Sequence, residues 1–175
     1  EVDSESGRMK DEMTAAFHRA TAEEAKQIFV FSYAYLSTTR KMVAAYRAFF
    51  QAAADIDGAS IIHCSAGKDR TGIGAALLMK ALGAHDDDIM ADYLLTGTLG
   101  DLERRRRLNS VKLREMLGEN LPEHVAQALS SVEPDFLHGA FKAIGQHAGG
   151  VEGYLRDAMG ADEAWRKKVE KLLIE

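Results

Sequence analysis

The sequence predicts an α/β fold in which helices far outnumber strands. Apolar residues recur at helical spacing along most of its 175 residues, as they do in helices that bury one face. One short β-branched segment, Ala59-Ser60-Ile61-Ile62-His63, is typical of a buried strand and runs directly into a loop and an apolar helix. Because one strand cannot form a sheet alone, the other strands either are hidden in the helical patterns or lie upstream of Glu1.

Helices are predicted before this strand. The segment 29–36 alternates aromatic residues as a strand would, but its flank Glu23–Gln27 favours helix, and we interpret it as helix. A second helix is predicted from Thr38 to Ala53, where apolar residues return every three or four positions. Asp57-Gly58 then breaks the pattern.

The chain after the loop predicts further helices. Thr71 to Leu82 is apolar on nearly every face, so this helix should be central and buried, with Gly83 as its stop. Pro122 and Pro134 each suit a first helical turn. The remaining helices are predicted at Asp86–Leu95, from about Leu99 to Leu117, and, after Gly149-Gly150, as a last pair marked by Val151, Tyr154 and Leu155 and then by Trp165, Val169, Leu172 and Leu173.

Composition and charge restrict the partners of the chain. Its formal net charge of -5 gives no general attraction to nucleic acid or to an anionic membrane. Any anionic substrate must therefore be held by a local cluster of positive groups. We find no transmembrane segment and no signal-peptide core, and a single cysteine excludes an internal disulfide. We expect a cytoplasmic protein, or one exported without a cleaved signal.

The stretch from His63 to Gly72 has the most specific chemical pattern in the chain. It follows a predicted strand and opens a helix, so its backbone N–H groups can converge on an anion. A phosphate monoester, with nearly two charges and strong acceptor oxygens, suits such a site. Gly67 lets the loop bend where a side chain would intrude. Arg70 can fold back and grip two phosphate oxygens with its planar guanidinium.

The same positive field acts on Cys64. A free thiol has a pKa of about 8.5, which helix N-termini and cationic neighbours lower. The thiolate can attack phosphorus and form a phosphocysteine that water then hydrolyses. Thr71 can donate a hydrogen bond to the sulfur and help it leave in the second step. A buried structural cysteine is the alternative interpretation of Cys64.

The pattern Cys64-x5-Arg70-Thr71-Gly72 resembles the signature of the protein tyrosine phosphatase superfamily. Its fuller form, His-Cys-x-x-Gly-Lys-Asp-Arg-Thr-Gly, resembles that of bacterial tyrosine and dual-specificity phosphatases, and the resemblance covers roughly residues 38–175. It implies a parallel sheet flanked by many helices. It also implies hydrolysis of phosphotyrosine in proteins, with phosphoserine, phosphothreonine or phosphoinositides as further substrates, and with neither metal nor cofactor.

The resemblance also implies roles inside the loop. Many relatives carry their general acid in a Trp-Pro-Asp segment, which this sequence lacks; Glu133-Pro134-Asp135 better explains a helix start. Asp69 would instead protonate the leaving oxygen, or else serve as a structural carboxylate that orients Arg70. Lys68 would supply a cation for substrates with further phosphates, unless it is merely solvated. The phosphate-binding residues would be Ser65, Ala66, Gly67, Lys68, Asp69 and Arg70.

Members of this superfamily have a substantial N-terminal region that supplies other strands. Only 62 residues precede His63 here, and they predict mainly helix. We therefore expect one catalytic domain over residues 1–175 that lacks N-terminal strands, with residues 1–37 as a candidate helical cover. Ordinary core packing of the aromatic residues between Phe17 and Phe50 is the preferred alternative to that cover.

Other polar residues have simpler interpretations. The side chains of Arg104–Arg107 should spread around a helix and be solvated or form salt bridges. The more specific alternative is that they contact a phosphoinositide or an acidic partner. His85–Asp88 is better explained by helix capping than by a metal. His63 is expected to hold the loop through hydrogen bonds more than to perform chemistry. Two other functions compete with catalysis: a module that binds phosphorylated ligands without turnover, and a thiol redox sensor.

Overall fold

The structure is a computed structural model that describes residues 11–56, 58 and 60–173. Helices make up most of the described chain, and a π-helical turn, Leu155–Met159, continues α9. In chain order the helices are α1 (11–17), α2 (Ala22–Thr38), α3 (Arg40–Asp55), α4 (Asp69–Ala81), α5 (Asp86–Leu95), α6 (Leu102–Leu117), α7 (Glu123–Ser130), α8 (Pro134–Ile144), α9 (Gly150–Tyr154) and α10 (Glu163–Leu173).

The mostly helical character is confirmed, but the described residues contain no strand. Residues 60–63 are neither helix nor strand, and Ala59 lies outside the described residues. The prediction of a strand at 59–63 is therefore not met in the described part. A strand is defined by hydrogen bonds to a neighbour, and in this chain Ile61 is 90% exposed instead of packed. The sheet of the α/β fold stays a prediction.

Local capping explains where the helices begin and end. The segment 29–36 lies inside α2, as predicted, and α2 starts with a capping box between Thr21 and Glu24. The predicted boundary at Thr38 is wrong by two residues, since Thr39 has extended backbone and separates α2 from α3. The helix predicted from about Leu99 begins at Leu102, because the Asp101 carboxylate accepts from the Arg104 N–H and caps α6 there.

Two hydrophobic clusters hold the helices together. The larger one surrounds α4, which is central and buried as predicted, and includes Tyr33, Tyr46, Phe50, Ile73, Leu77, Tyr93, Phe136 and Leu137. The smaller one joins α1 and α2 to α6 and α7 through Phe17, Ala25, Leu113, Leu117, Val125 and Leu129. Several of the aromatic residues between Phe17 and Phe50 thus pack in the core, whereas Phe31 is 74% exposed. Residues 1–10 of the predicted cover lie outside the described residues.

Among the described residues, no helix is both long enough and apolar enough to cross a membrane.

Candidate active site

The loop from Cys64 to Lys68 leads straight into the N-terminus of α4. Lys68 occupies the N-cap position of this helix, and no side chain caps its first turn. The first N–H groups of α4 therefore remain available to an anion or a thiolate. Gly67 has a φ of 65°, which side chains rarely adopt, yet a Cβ placed there would meet nothing within 4 Å. The need for glycine is thus conformational, and the predicted steric reason is wrong.

The thiol of Cys64 is half-buried above these amides. Burial alone would raise its pKa. The Thr71 hydroxyl and the backbone N–H groups of Thr71, Ala66 and Lys68 all favour the thiolate, and together they lower the pKa of Cys64 from 9.0 to about 7. A substantial fraction of the sulfur is therefore ionised at neutral pH.

Among the residues that the structure describes, the Thr71 hydroxyl has no evident partner other than the Cys64 sulfur. Its oxygen is buried and makes no regular hydrogen bond within the described residues. The hydroxyl can still turn toward Cys64, whose pKa it lowers. The Thr71 hydroxyl, which is otherwise unpaired in the described chain, can therefore donate its hydrogen bond to the Cys64 thiolate.

Asp69 is the first residue of α4, and its carboxylate is held by two side chains. The Tyr33 hydroxyl donates to Asp69 Oδ1 over 2.6 Å, and Lys68 Nζ lies 3.3 Å from the same oxygen. Tyr93 completes the group, since its hydroxyl lies 2.9 Å from that of Tyr33. Burial raises the pKa of Tyr33 far above its usual value, so that its hydroxyl stays a donor. With Oδ1 engaged, Oδ2 is the oxygen left for other partners.

Lys68 turns its side chain into the fold. Its ammonium donates to the carbonyl oxygens of Leu129 (2.6 Å) and Ser131 (3.0 Å) and lies 5.2 Å from the centre of the Phe29 ring. The residue is 4% exposed, and burial lowers the pKa of its ammonium, while Asp69 opposes that shift. The ammonium is thus neither solvated nor turned toward a further phosphate in this structure, unlike both sequence-based interpretations, whereas the Lys68 amide contacts Cys64.

The other predicted residues lie on the exposed side of the loop. Arg70 is exposed and makes no hydrogen bond or ion pair within the described chain, and no contact to Asp69 is seen there. Within the described chain, the Arg70 guanidinium is therefore free to bind a ligand. His63 is exposed and donates from Nδ1 to the Cys64 carbonyl oxygen over 3.2 Å. Ser65 and Gly67 are exposed, and Ala66 is half-buried.

A family comparison agrees with this geometry, because the family model described as "Tyrosine phosphatase family" matches residues 2–175. The chain belongs to this family. A triple specificity protein phosphatase, PtpB of Mycobacterium tuberculosis, is 32% identical over 65% of this chain and 43% of its own length. A candidate tyrosine-protein phosphatase of Cupriavidus necator is 39% identical over 59% of this chain and 36% of its own. A tyrosine-protein phosphatase of Nostoc commune is 34% identical over 66% of this chain and 39% of its own length.

The resemblance inferred from the loop motif is therefore confirmed at the level of the family. The matched stretches nevertheless span less than half the length of each of these relatives.

Several residues near this phosphatase-family loop were missed by sequence reasoning. Tyr33 and Asp69 are 36 positions apart, and no spacing pattern connects them. Lys112 of α6 donates to the backbone oxygen of Ser65 (2.8 Å) and to its Oγ (3.2 Å). Nothing in the sequence distinguishes Lys112 from the other charges of this helix. Only the high aromatic content of α2 could have drawn attention to Tyr33.

Tyr46 is a further missed neighbour. Its hydroxyl is buried and has no hydrogen-bond partner within the described residues. Burial raises the pKa of the Tyr46 phenol, Tyr154, Cys64 and Asp69 act in the same direction, and Arg70 opposes them. The phenol therefore stays neutral beside the loop and adds no negative charge to it.

Gly72 fixes the distance between α4 and α5. A Cβ at this position would come within 2.9 Å of the Tyr93 ring. Glycine therefore allows the Tyr93 ring to pack close against the first turn of α4, where its hydroxyl reaches Tyr33.

Proposed function

We propose that this chain carries the site of a phosphomonoester hydrolase that acts on phosphotyrosine in proteins through a phosphocysteine intermediate. The observation that carries the proposal is the Cys64 thiol, whose pKa is lowered to about 7 by a hydroxyl and by three backbone amides of the loop and the first turn of α4. A family of tyrosine phosphatases is the expected context for such a thiol.

In the first step the Cys64 thiolate attacks phosphorus, and the bond from phosphorus to the tyrosine oxygen breaks. The amides of the loop bind the equatorial oxygens, where negative charge must be held. The exposed Arg70 guanidinium, uncommitted within the described chain, closes over two of these oxygens in a bidentate contact. The phosphoryl group is then bound to sulfur, and the phenol leaves with one proton.

Asp69 is the proposed donor of that proton. Because Oδ1 accepts from Tyr33 and lies next to the Lys68 ammonium, the transferable proton belongs on Oδ2. The same contacts also suit a carboxylate that only shapes the first turn of α4. The two roles differ in their dependence on the leaving group, because a good leaving group does not need the proton.

In the second step water attacks the phosphocysteine, and inorganic phosphate leaves while the thiolate is restored. The Thr71 hydroxyl stabilises the departing sulfur as it regains its charge. The reaction needs no redox change, and the proton gained by the phenol is replaced by one from the attacking water.

Proteins are the favoured substrates, with phosphoserine and phosphothreonine as further targets and phosphoinositides as the alternative. The hypothesis of a phosphoinositide substrate depended on a Lys68 ammonium that points toward further phosphates of the substrate. That ammonium instead binds the carbonyl oxygens of Leu129 and Ser131. The buried lysine thus supports a protein substrate more than a multiply phosphorylated lipid.

Cys64→Ser tests the chemical proposal. We expect complete loss of turnover with retained binding of phosphotyrosine peptide, measured by phosphate release and by fluorescence anisotropy on the same preparation. Turnover by the serine variant would reveal another nucleophile and overturn the proposal. Peptide binding by the unsubstituted chain without any phosphate release would indicate a binding module.

Asp69→Asn tests the acid. If Oδ2 donates the proton, the variant should slow alkyl phosphates by about two orders of magnitude and affect activated aryl phosphates much less. Equal losses on both kinds of substrate would assign Asp69 a structural role.

A further inference from the structure

A pocket of about 180 Å³ lies directly beside the catalytic loop. One wall consists of Ser65 and Ala66, the two residues that follow Cys64, and the other is formed by α6 from its N-cap Asp101 to Lys112. We name it the α6 pocket, and its polar lining includes Ser65, Asp101, Arg104, Arg105 and Lys112. Three of these side chains are cationic and one is acidic, so the pocket is locally positive on a chain of net charge -5.

The three cations are available to different degrees. Arg105 is half-buried and anchored, since its Nη2 donates to the Leu99 carbonyl oxygen over 2.9 Å. Lys112 has three N–H donors, and Ser65 accepts from it through two oxygens. Arg104 is exposed and makes no side-chain hydrogen bond or ion pair within the described residues. A ligand in the pocket would therefore meet one pre-positioned and one uncommitted guanidinium.

The acidic lining residue limits the charge of the ligand. The Asp101 carboxylate is fixed in the pocket, because it accepts from the Arg104 backbone N–H over 2.9 Å. Its charge repels a phosphate dianion more strongly than a single carboxylate. Leu108, which is 50% exposed, provides an apolar wall for the methylene groups of a side chain. These features fit a glutamate or an aspartate.

The same features argue against an anionic membrane as the ligand. Membrane attraction grows with a broad, clustered basic surface. Here Asp101 and Glu103 accompany the arginines, and consecutive arginines spread around the helix instead of forming one face. The positive charge is thus concentrated in a pocket the size of one side chain.

We propose that the α6 pocket binds an acidic side chain close to the phosphorylated residue of a protein substrate, an inference that rests on the proposed phosphatase function. Successive residues of an extended peptide are about 3.3–3.6 Å apart. The pocket begins at the residue next to Cys64, so a side chain within a few positions of the phosphotyrosine reaches it. Arg104 and Arg105 thereby determine specificity and take no part in the bond-breaking steps.

The test measures binding separately from turnover. In the Cys64→Ser background, phosphotyrosine peptides with glutamate on either side of the phosphotyrosine are compared with glutamine counterparts by fluorescence anisotropy. We expect about fivefold tighter binding of one acidic peptide, as one favourable ion pair provides. Arg104→Glu should remove this ratio. Arg107→Glu, the same charge change at an exposed position that does not line the pocket, should retain it.

Each other outcome decides against the proposal. Equal affinity for acidic and neutral peptides would overturn it, as would equal effects of the two substitutions. Weaker binding of the Arg104→Glu variant to phosphoinositide-containing vesicles, with the peptide ratio intact, would assign the pocket to lipid.

Hydrolysis of a small aryl phosphate by the unsubstituted chain tests the proposed function separately. Hydrolysis without a peptide ratio removes only the pocket's role. A peptide ratio without hydrolysis removes only the proposed reaction.

Discussion

Two helices border the Cys64 loop, and their surfaces differ sharply. Among the residues of α4 only Arg70 is exposed, and Ile73 and Leu77 are almost fully buried. On α6 the buried residues are Asn109, Leu113 and Leu117, a single stripe at intervals of four. The rest of α6 is exposed or half-exposed and mostly charged. One helix continues the loop and contributes the Thr71 amide beside Cys64, and the other contacts the loop from the side through Lys112.

The difference separates two requirements of the site. Amides that stabilise a thiolate must not move, and the core around α4 fixes the helix whose first turn carries the Thr71 amide. The proposed selection of substrates needs charges that remain in water until a ligand arrives, and α6 carries charges of this kind. Lys68 connects the two regions indirectly, because it is the N-cap residue of α4 and binds the carbonyl oxygens at the end of α7, the helix that packs with α6 in the smaller cluster.

The largest expected effect comes from breaking the buried helix. Leu77→Ala removes a fully buried side chain from the core around α4, and we expect it to lower the free energy of unfolding by about 2–5 kcal/mol. Leu108→Ala, a matched change on α6 at a half-exposed position, should cost less than about 0.5 kcal/mol. Urea denaturation followed by circular dichroism measures both. Similar losses would mean that the two helices are equally important for stability.

A smaller effect is expected at the lysine that joins the regions. Lys68→Met leaves one buried and one partly buried carbonyl oxygen without their donor and Asp69 without its ion pair, which should cost about 1–3 kcal/mol. Lys112→Met removes an exposed lysine that also binds two oxygens, and it should cost under about 1 kcal/mol. The comparison again uses urea denaturation, and a neutral Lys68→Met would show that its burial contributes little.

Sequence reasoning succeeded where local physical chemistry is decisive. The α4 helix was predicted from its continuous apolar run, and Pro134 begins α8 as its fixed φ favours. The loop pattern around Cys64 led to the family, because a thiol, glycine and arginine at this spacing rarely coincide by chance.

The failures concern contacts between distant parts of the chain. Nothing local to Lys68 shows that its ammonium will bind carbonyl oxygens 61 and 63 positions away. The Tyr33–Asp69 hydrogen bond is equally invisible, since it depends on how α2 packs beside α4. The predicted strand at 59–63 required partners, and strand pairing is a property of the whole sheet.

The smallest and most specific effect is expected at Thr71, within the first turn of the rigid helix. Thr71→Val keeps the shape of the side chain but removes the hydroxyl that lowers the pKa of Cys64. A hydrogen bond worth about 0.5–1.5 kcal/mol corresponds to a rise of about half a unit to one unit from the value near 7. Because only the thiolate is alkylated, the rate of iodoacetamide reaction should reach half its maximum at a higher pH.

Thr71→Ser is the matched control for this measurement, since it loses the methyl group and keeps the hydroxyl. Its alkylation profile should stay close to that of the unsubstituted chain. If the valine variant kept the original midpoint, the backbone amides alone would set the thiol pKa. If the serine variant shifted as far as the valine variant, packing around the first turn of α4, and not the hydroxyl, would determine the reactivity of Cys64.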